Sequence, residues 1–160
     1  MQTNNDFFNS DEFDALIAST KTFWDECDYM GNPGAKEEYI LILKERLQID
    51  LPADYICFLR KLNGFKYNDY VLFNCNTVKY DGRLLLIGYS HKEHITFEHE
   101  NRKYYLIDKT LNISDFINKN STSVTKQFDT FADMFRNIMC EALPQEKLSK
   151  IYSLIVKNLS

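Results

Sequence analysis

Between Tyr70 and Asp108 the chain alternates short apolar runs with turn-forming residues, and this pattern most narrows what it can fold into. Tyr70-Val71-Leu72-Phe73, Thr77-Val78-Lys79-Tyr80 and Arg83-Leu84-Leu85-Leu86-Ile87 are rich in the aliphatic, β-branched and aromatic side chains that suit a pleated surface. Asp81-Gly82 between the last two predicts a type I′ hairpin turn, which needs positive φ at both positions. Ile95-Thr96-Phe97 and Lys103-Tyr104-Tyr105-Leu106-Ile107 predict a second hairpin across Glu100-Asn101-Arg102. Connections this short join antiparallel neighbours.

Helical periodicity lies on both sides of this block. Phe13, Leu16 and Ile17 predict an N-terminal helix capped by Ser10 or Asp11. Gly31-Asn32-Pro33-Gly34 reads as a break. A second helix is expected from about Ala35 to Gln48, with Ile40, Leu43 and Leu47 on its inner face. Pro52 opens a third, whose Tyr55, Phe58, Leu59 and Leu62 follow an i, i+3, i+4, i+7 stripe. Asn63-Gly64 is expected to end it, with glycine in the left-handed C-cap conformation. Residues 109–127 read as polar and irregular, with a turn around Ser114-Asp115-Phe116. Phe128, Phe131, Ala132, Phe135, Ile138, Met139 and Ala142 then form an amphipathic helix, and Pro144 restarts a last one. The expected fold is α+β: one domain with an antiparallel sheet of about four to six strands and helices packed at its N- and C-terminal ends.

Composition sets further bounds. A chain of 160 residues can build a core without disulfide or metal staples, and Cys27, Cys57, Cys75 and Cys140 show no C-x-x-C pair. Cys57 and Cys140 fall in apolar helical patterns, as small core hydrophobes do. No apolar stretch approaches the roughly 20 residues of a membrane span, and the N-terminus does not read as a signal peptide; a cytoplasmic protein is expected. The net charge of -4 argues against direct nucleic-acid binding. That charge is uneven. Residues 1–38 carry nine acidic and two basic side chains, whereas residues 39–160 carry 14 acidic and 17 basic ones. The acidic quarter reads either as a solvated helix face and loop or as a docking surface for a basic partner.

No catalytic constellation emerges. The chain lacks a G-x-S-x-G elbow, a phosphate-cradling G-x-x-x-x-G-K-[ST] loop and a dinucleotide fingerprint, so no cofactor is expected. The segment from His91 to Glu100 collects three histidines, yet H-K-E-H is not the H-E-x-x-H of a helical zinc site. On a strand His94, Glu98 and Glu100 share one face and His99 points away, which suits a solvated hairpin rim better than a metal site.

The segment Leu51-Pro52-Ala53-Asp54-Tyr55-Ile56-Cys57-Phe58-Leu59-Arg60-Lys61-Leu62-Asn63-Gly64 resembles the signature L-P-x-D-Y-x-x-F-L-x-x-x-N-G of the SUKH superfamily, the Smi/Knr-like proteins. An approach helix precedes it; a strand, the glycine-containing Leu86-Ile87-Gly88, an aromatic strand pair and a closing Phe128-to-Phe135 segment follow in the family's order. The resemblance covers about residues 35–140, leaving 1–34 as an acidic N-terminal addition and 144–160 as an extra C-terminal helix. Leu51, Pro52, Asp54, Tyr55, Phe58, Leu59, Asn63 and Gly64 form a fold signature, with Asp54 placed to favour the positive end of its own helix dipole.

The resemblance implies protein binding. It points to a non-enzymatic cytoplasmic immunity protein that binds and occludes a cognate secreted polymorphic or contact-dependent toxin, of which many are nucleases. The alternatives are a scaffold or regulatory adaptor without a toxin, and a metal-dependent enzyme built on His91, His94 and His99. Candidate contact carboxylates are Asp25, Glu26 and Asp28, with Glu98 and Glu100 on the hairpin rim as a second set.

Overall fold

The computed structural model describes residues 7–23, 29–67, 69–109 and 124–142. Among them, helices α1 (Asp11–Phe23), α2 (Glu37–Leu47), α3 (Ala53–Lys61) and α4 (Phe131–Ala142) accompany one antiparallel sheet. Its strands are β1 (Tyr29–Pro33), β2 (Leu62–Tyr67), β3 (Tyr70–Leu72), β4 (Lys79–Tyr80), β5 (Leu84–Tyr89), β6 (Glu93–Glu98), β7 (Lys103–Asp108) and β8 (Val124–Phe128). The spatial order is β1-β2-β3-β5-β6-β7-β8, with the two-residue β4 paired to β5. The α+β expectation holds, and the sheet is larger than the four to six strands expected. The turn expected around Ser114 and the helix expected after Pro144 lie outside the described residues.

Three extra strands account for the difference, and each was masked by its composition. β1 contains the Gly31-Asn32-Pro33 run that reads as a break, yet it pairs with β2 from Tyr29↔Tyr67 to Pro33↔Leu62 across an irregularity. It lies at the end of the strand order, where a proline without an N–H is tolerated. β8 occupies the other edge, in a segment whose polar residues resemble a loop; Phe128 closes it and the following helix starts at Phe131 rather than Phe128.

Asn63-Gly64 plays a different part from the one predicted. α3 ends at Lys61, Leu62 is already extended at φ -140°, and the chain enters β2 without a left-handed cap. Gly64, at φ 96°, sits inside the strand. The Asn63 side chain reaches the loop after β3, its Oδ1 accepting the Cys75 N–H at 2.8 Å. The turn at Asp81-Gly82 also departs from type I′: Gly82 alone has positive φ, and Asp81 Oδ1 instead accepts the N–H groups of Arg83 and Leu84 at 3.0 and 2.8 Å.

The helices pack on one face of the sheet around an aromatic cluster. Phe131 lies 5.0 Å from Phe58, 5.1 Å from Tyr55 and 5.8 Å from Tyr104 of the sheet, centroid to centroid. Phe135 reaches Phe65 of β2 at 5.9 Å. The N-terminal segment joins this cluster. Phe8 is fully buried and touches Phe58, Phe131 and Phe135, and Arg136 stacks over Phe7 at 4.1 Å while pairing with Glu12. Ser10 caps α1 as expected, its Oγ accepting the Phe13 N–H at 3.4 Å.

Two tethers fix α2 and α3 against the sheet. Arg46 donates from Nη1 to the Val78 carbonyl at 2.9 Å and from Nη2 to the Cys75 carbonyl at 2.7 Å. The chain leaving β1 passes so close to α3 that a Cβ on Gly34 would lie 1.8 Å from the Arg60 carbonyl oxygen, while Ala35 N–H donates to the Leu59 carbonyl at 2.8 Å. Gly34→Ala is therefore expected to lower stability by about 2–3 kcal/mol in urea unfolding, the cost of forcing a group into filled space. An unchanged midpoint would show that the contact yields.

Candidate interaction surface

The signature residues are committed to the interior. Tyr55, Phe58 and Leu59 are buried, as is Leu51, and Pro52 occupies the N-cap position of α3. Asp54 has a second role besides the expected one. It belongs to the first turn of α3, where the Tyr55 N–H bears on its carboxylate, and its Oδ2 also accepts the Ala132 N–H of α4 at 3.0 Å. Phe131 N–H also bears on this carboxylate, so Asp54 serves two orphan donors of a helix 78 residues away in sequence. Thr130 Oγ1 accepts the next one, from Asp133, at 3.1 Å. An open recess of about 310 Å³ reaches this point, bordered by Asp54, Arg102, Tyr104 and Asp129. Lys103 pairs with Asp129 at its rim, and the buried Tyr104 hydroxyl has no hydrogen-bond partner among the described residues.

The candidate contact carboxylates separate into three cases. Asp25, Glu26 and Asp28 lie outside the described residues. Glu98 does not lie on a solvated rim: it is 2% exposed, accepts from Arg83 Nε at 2.9 Å and from Asn101 Nδ2 at 2.5 Å. Strand alternation put it on the expected sheet face, but the side chains beside it enclose the carboxylate. Glu100 is exposed in the β6–β7 turn. The three histidines do not converge. His91 precedes β6 and His99 follows it, so six strand residues, roughly 20 Å, lie between them. Burial, with Lys109 nearby, lowers the proton affinity of His94 below its ordinary value. Among the described residues no group of three His, Cys, Asp or Glu side chains is placed to hold a metal ion.

Sequence reasoning passed over the outer face of α2. Ile40, Leu43 and Leu47 point inward as expected, but Leu41 and Ile42 are 57% and 53% exposed. Helical spacing sets them between the exposed carboxylates of Glu38 and Glu45, which lie seven residues apart on the same outward line. Tyr39, 42% exposed, adjoins them. One flank carries the Glu37–Arg60 ion pair (2.6 Å) and Lys44; the other carries Arg46, held by the Cys75 and Val78 carbonyls. The signal was present in the sequence. Five apolar residues in a row, Tyr39 to Leu43, are more than one face of an 11-residue helix can bury.

The buried carboxylates give two tests. Burial pushes the Asp54 carboxyl above its ordinary value, against the lowering effect of the Ala132, Tyr55 and Phe131 N–H groups. The folded state thus favours the protonated acid, and this contribution to stability fades as pH rises through the folded-state value. Asp54→Asn keeps an acceptor for Ala132 and cannot ionise. Its stability relative to the parent chain should rise from about pH 4 to neutrality, read from urea midpoints. A difference independent of pH would count against the burial argument. Glu98→Ala should cost about 1–3 kcal/mol by removing the buried acceptor shared by Arg83 and Asn101, whereas Glu100→Ala should stay within about 0.5 kcal/mol; equal costs would overturn the distinction.

Comparison with curated proteins returns no match. No described helix is long and apolar enough to cross a membrane. The model of the SMI1 / KNR4 family (SUKH-1) matches residues 34–137, well over half of the chain and the span from the Gly34 contact to the middle of α4, and the chain belongs to that family.

Proposed function

We propose that this protein is a cytoplasmic immunity protein, which binds a cognate secreted polymorphic or contact-dependent toxin domain and blocks it by occlusion. The observation that carries this reading is the use made of the family signature. Its ionisable residue, Asp54, is buried and serves as a cap, and its aromatic residues fill the core. The signature therefore encodes a scaffold, and partner choice is left to side chains on the surface. A protein built this way acts by offering a surface. Family membership supports protein–protein interaction as the kind of work that surface does.

Expression of the reading frame beside this protein's own gene, with and without this protein, tests the reading. Toxicity relieved by co-expression, together with a stoichiometric complex of the two purified proteins, is the expected result. Equal killing in both cultures sinks the assignment to that pair. A complex without relief of toxicity points to the adaptor reading instead. The triple variant His91→Ala, His94→Ala, His99→Ala should protect as well as the parent chain; loss of protection with an intact fold and retained binding would favour the metal-enzyme alternative.

A further inference from the structure

We propose that the outward stripe of α2, formed by Glu38, Leu41, Ile42 and Glu45 with Tyr39 beside it, is the surface on which the protein partner docks, and that the partner presents an apolar patch flanked by lysine or arginine side chains. The inference rests on the reading of function above, and adds to it where the contact lies and what chemistry it meets.

The stripe has the composition of a small interface. Leu41 and Ile42 leave more than half of each side chain in water, whereas Ile40 and Leu43 on the same helix are 1% exposed. Nothing among the described residues requires apolar side chains at those two outward positions, since leucine and lysine have similar helix propensities and isoleucine is the poorer former. Covering both would remove apolar surface from water on a helix already tethered to the fold: α2 is held at Arg46 by two carbonyls and at Glu37 by Arg60, which lessens the ordering to be done on binding.

The charges select the occupant. Glu38 and Glu45 stand at the two ends of the apolar pair, and neither is in an ion pair among the described residues. In a twofold antiparallel contact between two copies centred on Leu41 and Ile42, Glu38 of one copy would face Glu45 of the other. A parallel contact would set each glutamate against its own counterpart. Both homotypic arrangements bring like charges together around an apolar centre, which disfavours a second copy as the occupant. A heterologous partner with cations at the matching spacing neutralises both carboxylates. The stripe also lies close to the acidic first quarter of the chain in sequence, and Glu37 and Glu38 contribute to that quarter's surplus.

Two sets of variants test the surface, with the purified product of the neighbouring reading frame as the probe, in an inactive form where it is toxic. Leu41→Ser with Ile42→Ser should weaken the complex at least tenfold, mainly through faster dissociation, and leave circular dichroism and the thermal midpoint unchanged. Glu38→Lys with Glu45→Lys should slow association about tenfold at low salt, and the deficit should shrink as salt is raised past 0.15 M. A folded pair of variants that binds like the parent chain overturns the surface while leaving the functional reading intact. So does a loss of binding confined to Asp25→Lys, Glu26→Lys and Asp28→Lys. Sedimentation that finds a dimer dissolved by the Leu41/Ile42 changes overturns the choice of occupant. If the parent chain does not bind the probe at all, the functional reading fails and the surface falls with it.

Discussion

A buried carboxylate in the first turn of one helix, capping the start of another, holds the rest of this structure in register. Asp54 binds the N-terminus of α4 from the N-terminus of α3, and the same helix pair supplies Tyr55, Phe58, Phe131 and Phe135 to the aromatic core. The arrangement is cooperative in a simple sense. The cap is worthwhile only if α4 is seated, and α4 is seated only if Phe131 enters the space between Tyr55, Phe58 and Tyr104. Desolvating the carboxyl is unfavourable, and the N–H groups it satisfies are donors that would otherwise be stranded in the interior.

The core built around this link draws on residues outside the span that the family model matches. Phe7 and Phe8 are buried among Phe58, Phe131 and Phe135, and Arg136 lies over Phe7. The N-terminal segment therefore has two jobs in one stretch of chain: it completes the hydrophobic cluster and it carries acidic residues. An Asp-rich sequence hides the first of these, because two phenylalanines among polar neighbours show no periodicity.

Much of the fold could be read from local pattern. The two hairpins, the inner faces of α2 and α3, the Ser10 cap and the amphipathic α4 followed from spacing alone, since each is fixed by contacts within a few residues or one sheet pairing. The misreadings share a cause. Gly31-Asn32-Pro33 and Asn63-Gly64 have turn chemistry, but β1 and β2 are strands because each supplies the other with a partner from 29 to 38 residues away. Asn63 holds the loop at Cys75. Pairing at that range overrides local preference, and no window of the sequence contains both halves of it.

By itself the sequence determined the class of fold, the family and the order of the helices and central strands, because periodicity and turn chemistry are local properties. It also contained the excess of apolar residues on α2. Only the tertiary structure decided which side chains face a partner and which face the interior. Glu98 and Glu100 are two residues apart on one hairpin, yet one is sealed against Arg83 and Asn101 while the other meets water. Leu41 and Leu43 are equally apolar, yet only Leu43 finds a core. Burial depends on what arrives from elsewhere in the chain, and that is settled when the elements pack.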